Sequence, residues 1–318
     1  MNRSLLISTQ SAPLFTETST DEAYLTQRLQ FLRDCGIEAM DFGINQCITA
    51  DVEKGEIDDF WNRSLDELYE HFTPLKNAAQ KTGMIFSQMH AVFPLYIPGH
   101  AEATEYLCMS VEKNIAIAAF LDCPAVVVHP YFCRDDKALE WEINLAMYRR
   151  FIPFAKQYGV KICLENMFFT IESHPVEACC SSAEEACRYI DTLNEEAGED
   201  IFGFCFDTGH CTLIRRDPKA FIKTLGHRLL CLHLHDNNGD VDLHVMPFSQ
   251  QRVTAAYTTK STTDWDGICE ALREIGYKGN LSFEAYKSFE IFPEATHREL
   301  LKLYSAIGRH FRNKILNG

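Results

Sequence analysis

The sequence lacks most of what would place it outside ordinary globular chemistry. No stretch approaches the roughly 18 uninterrupted apolar residues of a membrane-spanning helix. Sixteen glycines and 11 prolines in 318 residues are too few for a collagenous or linker-rich chain. No GxGxxG follows a strand and opens a helix, and no P-loop is present, so the usual dinucleotide and nucleoside-triphosphate signatures are missing. The 13 cysteines contain no CxxC pair. Cys179 and Cys180 are adjacent and poorly placed for a simple bridge, while Cys163, Cys205 and Cys231 sit in apolar runs, where cysteine acts as a small hydrophobe. The apolar stretch near the N-terminus is broken by Ser8, Thr9, Gln10 and Ser11, which argues against a signal peptide. These features together predict a soluble protein of the reducing cytoplasm. Positive charge is also scarce: 30 Lys and Arg against 45 Asp and Glu leave −15. Such a surface repels polyanions and argues against nucleic acid or an anionic membrane as a partner, unless a local basic groove forms.

What is present is a regular alternation. Short apolar runs, many rich in β-branched residues, occur at 5–7, 39–44, 84–91, 125–129, 161–165, 202–207, 229–235 and 280–284, giving eight candidate strands. Helical patterns lie between them. Leu107, Val111, Ile115 and Ala118 recur on one helix face. Ser182 and Glu185 form the pattern of a capping box. Ile268, Leu272 and Ile275 line one side of a helix over 266–275 that stops at Gly276. Leu300, Leu301, Tyr304, Ile307 and Phe311 mark a last helix. Eight strand–helix repeats without a linker predict one domain over 1–318, an α/β chain folded as a single (β/α)8 TIM barrel. A doubly wound open sheet is the alternative. Residues 237–264 are long and polar for a loop, so they are expected to form a lid or an inserted excursion.

The chemistry gathers at the strand ends. Six of the 12 histidines, His90, His129, His210, His233, His235 and His244, fall at or just past the C-terminal ends of candidate strands. Glu165, Asp207, Asp242 and Glu284 fall in the same kind of place. In a barrel those ends converge on one face, where active sites are built. Imidazole and carboxylate together make a ligand set for a divalent ion such as Zn²⁺ or Mn²⁺. Each residue has a structural alternative. Glu165 and Glu284 each end an apolar strand, where an unpaired carboxylate is costly, so each is a ligand or half of a buried ion pair. Asp207 could instead form an Asx turn, with His210 capping the next helix. His233 and His235 share one strand face by period two, and at least one is expected to be a ligand. His90 and His129 could be satisfied core histidines. His71, His100, His174, His227, His297 and His310 lie in helical or connecting stretches and are expected at the solvated surface. Trp265 is expected to pack at the start of a helix, and Cys133 carries no nucleophile signature.

The order and spacing of Val128-His129-Pro130, Leu164-Glu165-Asn166, Phe206-Asp207-Thr208-Gly209-His210 and Leu232-His233-Leu234-His235-Asp236-Asn237 resemble the xylose isomerase-like TIM barrel superfamily. The resemblance continues through Asp242-Leu243-His244 and the stretch from Gly276 to Glu284. That group holds sugar isomerases and epimerases together with endonuclease IV-type enzymes. The resemblance implies one divalent ion (Mn, Zn, Co or Mg) held by Glu165, Asp207, His233 and Glu284. His233 is preferred to His235 because the family histidine stands three residues before an acidic position, here Asp236. In ketose epimerases of the group the two glutamates also move protons, which implies Glu165 and Glu284 as the catalytic pair. His90, His129, His210, His235, Asp242 and His244 would then face the substrate. The chain departs from the sugar enzymes after His244. The usual Pro-Gly-x-Gly turn is replaced by Val245-Met246-Pro247-Phe248-Ser249, and Asp264-Trp265 comes only after the long polar stretch.

Two functions follow from the resemblance. In the first, the protein is an isomerase or epimerase of a sugar, sugar phosphate or polyol ketone. An ion gripping a carbonyl and its neighbouring hydroxyl would acidify the intervening C–H and stabilise the enediolate, while paired glutamates exchange the proton. In the second, it cleaves phosphodiesters at abasic DNA sites. Endonuclease IV-type enzymes use three metals, and His90, His129, His210, Asp242 and His244 match their additional ligands. The −15 charge and the absence of clustered Lys or Arg near these loops favour the first and a small carbohydrate partner. The sequence leaves a homo-oligomer open.

Overall fold

The structure is a computed structural model and describes residues 5–253 and 259–318. Eight parallel strands form the sheet: β1 (Ile7–Gln10), β2 (Ala39–Gly43), β3 (Ile85–His90), β4 (Ala125–Val127), β5 (Lys161–Glu165), β6 (Phe202–Asp207), β7 (Leu229–His233) and β8 (Leu281–Phe283). They pair in chain order, and β8 returns to pair with β1. The circle is completed at Leu234, whose N–H donates to Ser282 O (2.8 Å) and whose carbonyl accepts Glu284 N–H (3.1 Å). Helices α1 (Glu22–Asp34), α2 (Leu65–Thr82), α3 (Ala101–Phe120), α4 (Lys137–Tyr158), α5 (Ala183–Ala197), α6 (Pro218–Leu225), α7 (Trp265–Glu274) and α8 (His297–Asn317) follow the successive strands. The expected (β/α)8 TIM barrel is therefore the observed one.

Two packing layers result. Between strands and helices lies the large apolar core, where Phe283 stacks on Tyr304 and Phe311 of α8 at 5.4 and 6.4 Å. Inside the barrel the residues are small: Ala125, Val127, Cys163, Cys205 and Cys231 form a separate buried cluster. Side chains alternate along a strand. The inner face therefore reads a small residue and then, two positions on, a functional one: Val127 then His129, Cys163 then Glu165, Cys205 then Asp207, Cys231 then His233. The thiols fill the lower barrel and the strand-end acids and imidazoles emerge above them. All 13 cysteines are free, Cys163 Sγ and Cys231 Sγ being 3.6 Å apart.

Several sequence expectations shift in detail. The first strand begins where the apolar run ends. Its residues Ile-Ser-Thr-Gln look polar because the inner face here is hydroxylic, with Ser8 Oγ 2.7 Å from Ser87 Oγ. Ser182 caps α5 by accepting Glu185 N–H at 3.2 Å, but Glu185 returns its carboxylate to Cys180 N–H at 2.7 Å, so only half of the capping box forms. His71 is not solvated. It is half-buried edge-on to Phe60 and Phe72, at 5.1 and 4.9 Å. Trp265 packs at the first turn of α7, 5.3 Å from Phe311. The polar stretch after β7 contains an antiparallel pair, Gln251–Val253 with Thr259–Ser261; its residues 254–258 lie outside the described ones. Among the described residues no helix is long and apolar enough to cross a membrane.

Candidate active site

The strand ends open into a cavity of about 630 Å³. Glu165, the last residue of β5, is buried and lies at its floor. Its Oε1 stands 3.0 Å from His233 Nδ1 and its Oε2 3.1 Å from His129 Nε2. Asp207 ends β6 and accepts His210 N–H at 2.6 Å, so the chain turns at once into a short helix, Thr208–Leu213. The Asx turn and the functional reading of Asp207 thus coexist. Asn166 ties the two strand ends together, donating to Asp207 O and accepting Asp207 N–H, both at 2.8 Å. Glu284 follows β8, with its Oε2 3.5 Å from His233 Nδ1. One ligand atom from each of Glu165, Asp207, His233 and Glu284 lies within 4.8 Å of the others.

His233 ends β7, and His235, two residues beyond it, meets different neighbours. His233 Nδ1 faces the glutamates, and its Nε2 is 3.1 Å from Asp41 Oδ2 on β2. Asp41 Oδ2 also accepts from Gln88 Nε2 at 2.8 Å. A carboxylate behind an imidazole fixes its ring and tautomer, as in many metal centres. His235 turns the other way. Its Nε2 is 2.9 Å from both Asp207 oxygens, while its Nδ1 is buried without a partner among the described residues. The His235 ring packs where a Cβ on Gly209 would lie, which accounts for the glycine in Asp207-Thr208-Gly209-His210.

A second group forms beside the first. His210, His235, Asp242 and His244 also bring ligand atoms within 4.8 Å of one another. His244 Nε2 is 2.7 Å from Asp242 Oδ2, and its ring stacks on His235 at 4.0 Å. His90, His129 and Glu165 make a third such group, with the two imidazole nitrogens 3.1 Å apart. Seven of the ten residues singled out at the strand ends, His90, His129, Glu165, His210, Asp242, His244 and Glu284, line this one cavity, and the fully buried Asp207, His233 and His235 lie within reach of them behind its wall. Aromatic rings cover the imidazoles: Phe93 over His129 at 4.5 Å, Tyr286 over His244 at 4.9 Å, and Phe168 over His210 at 5.0 Å. Phe168 is carried there by a hairpin, Phe168–Ile171 with His174–Glu177, that follows β5.

Electrostatics divides the acids. Burial opposes ionisation of Glu165, yet His233 and His129 hold it well below the usual carboxylate range. Burial raises Glu284 to about 8 despite His233 and His244. Burial also lowers His90 to about 4, helped by neighbouring His129. His244 is buried too, but its bond to Asp242 lifts it to about 9. The buried Glu165 and Asp207 and the half-buried Glu284 around one imidazole, with no Lys or Arg lining the cavity among the described residues, make a donor set that a divalent cation fits.

Sequence reasoning missed Asp41 and Glu17. Asp41 carried the signal used for Glu165, a lone acid inside an apolar run (Ala39-Met40-Asp41-Phe42). Glu17 lies in the loop after β1, where no periodicity marks it; in the fold it is buried against the cavity wall.

The family model described as xylose isomerase-like TIM barrel matches residues 7–306. An uncharacterised protein of Sinorhizobium fredii is 28% identical over 189 residues, 59% of this chain and 55% of that protein. The match thus spans about half the length of that relative. An inosose dehydratase of Histophilus somni is 24% identical over 155 residues, 46% of this chain and 48% of the enzyme. The crystal structure of a 3-keto-D-glucoside 4-epimerase from E. coli superposes with a TM-score of 0.68 at 14% identity, covering 96% of this chain and 99% of that one.

Proposed function

Because the chain belongs to the xylose isomerase-like TIM barrel family, we propose that it is a divalent-metal-dependent isomerase or epimerase of a carbohydrate carbonyl compound. The observation that carries the reading is the convergence of ligand atoms of Glu165, Asp207, His233 and Glu284 within 4.8 Å of one another, with Glu165 and Glu284 lining the cavity. These four would hold the ion. Bound there, it would supply Lewis acidity toward a substrate carbonyl. The remaining work falls to the chain. Glu165 and Glu284 approach the same His233 nitrogen from β5 and β8, and both belong to the cavity that would receive the substrate. One glutamate removes the proton beside the carbonyl and the other returns it to the same or the adjacent carbon. Asp41 holds the His233 ring, and the aromatic cover limits water. The substrate-facing roles fall to His90, His129, His210, Asp242 and His244, with His235 supporting Asp207. Two similar proteins carry carbohydrate substrates in their names, an inosose dehydratase and a keto-glucoside epimerase, and support this class.

A second reading has one observation in its favour. The groups His210–His235–Asp242–His244 and His90–His129–Glu165 could each take a further ion, as phosphodiester cleavage at abasic DNA with three metals would require. The −15 charge and the cavity without Lys or Arg among its described residues weigh against a DNA partner. Elemental analysis of the purified protein tests the choice. One ion per chain, lost in Asp207→Asn, supports the isomerase. Three ions with salt-sensitive cleavage of an abasic duplex, abolished by His244→Ala, would replace it with the nuclease.

A further inference from the structure

Resting on the isomerase or epimerase reading, we propose that the substrate is an uncharged polyhydroxy carbonyl compound rather than a phosphate ester, and that Glu17 is a specificity-determining residue that accepts one of its hydroxyls. Six carboxylates line the cavity, Glu17, Asp41, Glu165, Asp242, Glu284 and Glu290, and among the described residues no Lys or Arg does. Phosphate groups are recognised by Arg, Lys and clustered N–H donors. This cavity offers mainly the reverse.

Four of the acids are matched by imidazoles. Asp41 and Glu165 stand 3.1 and 3.0 Å from His233, Asp242 stands 2.7 Å from His244, and Glu284 lies 3.5 Å from His233. Glu17 has no such partner, although it is only 3% exposed. Its Oε1 accepts from Ser11 Oγ. That hydroxyl is fixed in turn by Gly43 N–H at 2.9 Å, and a Cβ at Gly43 would meet Glu17 Oε1 at 2.9 Å. The Glu17 main chain is pinned by its N–H bond to Gln46 Oε1 at 3.2 Å. The carboxylate is therefore held in place at the cavity wall by neutral donors, with no cation beside it among the described residues. Gln10 lines the same wall, and its Oε1 is buried with no partner among the described residues.

Gln10 Oε1 and the Glu17 carboxylate are both acceptors on this wall. A polyol brings hydroxyl donors to them, whereas a phosphate brings only acceptors and about two negative charges. Burial without a cation raises the Glu17 carboxyl to about 7, as expected of an acid whose counterpart is absent. Glu17 sits with the ends of β1 and β2, beside Asp41 and Gly43, so it would grip the part of the substrate nearest those strands.

The test uses the metal-loaded full chain and two probes, D-fructose and D-fructose 6-phosphate. Binding is followed by calorimetry and C–H exchange by deuterium incorporation. The free ketose is expected to bind at least about tenfold tighter than its ester, and Glu17→Gln to raise its KM about tenfold, the scale of one charge-assisted hydrogen bond. The effect on kcat should be smaller and metal content unchanged. Glu17→Lys, if folded, should shift preference toward the ester. Tighter binding of the ester by wild type, or an unchanged KM in Glu17→Gln, overturns the proposal and leaves the isomerase reading standing. Absence of both binding and exchange with either probe counts against both.

Discussion

The two four-residue groups at the barrel mouth use the same side-chain types but are built differently. In the first, Glu165, Asp207 and His233 are the last residues of β5, β6 and β7, and Glu284 follows β8 by one position. In the second, Asp242 and His244 come from the long polar loop, His210 from a six-residue helix, and His235 from beyond its strand. His233 is gripped at both ring nitrogens, whereas His235 Nδ1 has no partner among the described residues. His244 even takes a left-handed backbone, φ +43°. Strands hydrogen-bonded on both sides hold a geometry that a loop can only approach. Under the proposed function the first group would hold the ion and move the proton, and the second would meet the substrate.

Substitutions can break or sharpen that contrast. The largest effect is expected in the first group. Glu165→Gln or Glu284→Gln should reduce turnover by roughly 10²–10⁴-fold, the usual range for a missing general base. Metal content must be measured beside rate, because each glutamate also belongs to the candidate ligand set.

Next in size is Glu17, which belongs to neither group. Burial raises its carboxyl in the folded chain to about 7, against 4.5 for the free side chain. Below about pH 4.5 both folded and unfolded chains are protonated there and nothing is lost. As pH rises toward 7 the unfolded chain ionises first, so folded stability falls and the full penalty is present above 7. That penalty is on the order of 3 kcal/mol. Glu17→Gln should therefore raise the melting temperature at pH 8.5 and leave it nearly unchanged at pH 4.5. Equal gains at both pH values would disprove an ionisation origin.

Asp41→Asn tests whether the clamp on His233 explains the difference between the groups. Metal affinity should fall roughly 10–100-fold, as for other partners of ligating histidines, with the fold retained. The smallest effect is predicted for Asp242→Asn. It should raise KM about tenfold, the scale of one hydrogen bond to a charged group, and keep the metal content of the wild type. A loss of metal there equal to that in Asp207→Asn would erase the distinction.

The same contrast explains what could be read from the sequence. Glu165, Asp207, His233 and Glu284 were visible because a buried strand announces itself by its apolar run, and an acid or imidazole at its end stands out against it. Alternation then carried the inner face from Cys163, Cys205 and Cys231 to the groups above them. Asp242 and His244 were visible as a motif but not as geometry, since loop conformation depends on distant contacts such as Val245 N–H to Asp236 O (3.2 Å). Glu17 gave no signal at all. Its burial depends on Ser11, Gly43 and Gln46 closing around it, and no local pattern encodes that meeting. The first strand was misplaced by two to three residues because its inward side is hydroxylic rather than apolar.

The most direct test of the account is deuterium incorporation from solvent at the carbon beside the carbonyl of a free ketose, catalysed by the metal-loaded protein. Exchange is predicted in the wild type, disappearing on chelation and, for a ketose of one configuration, in the variant that lacks the glutamate removing its proton. Exchange that survives in both glutamine variants at full metal occupancy would contradict the proton-transfer reading.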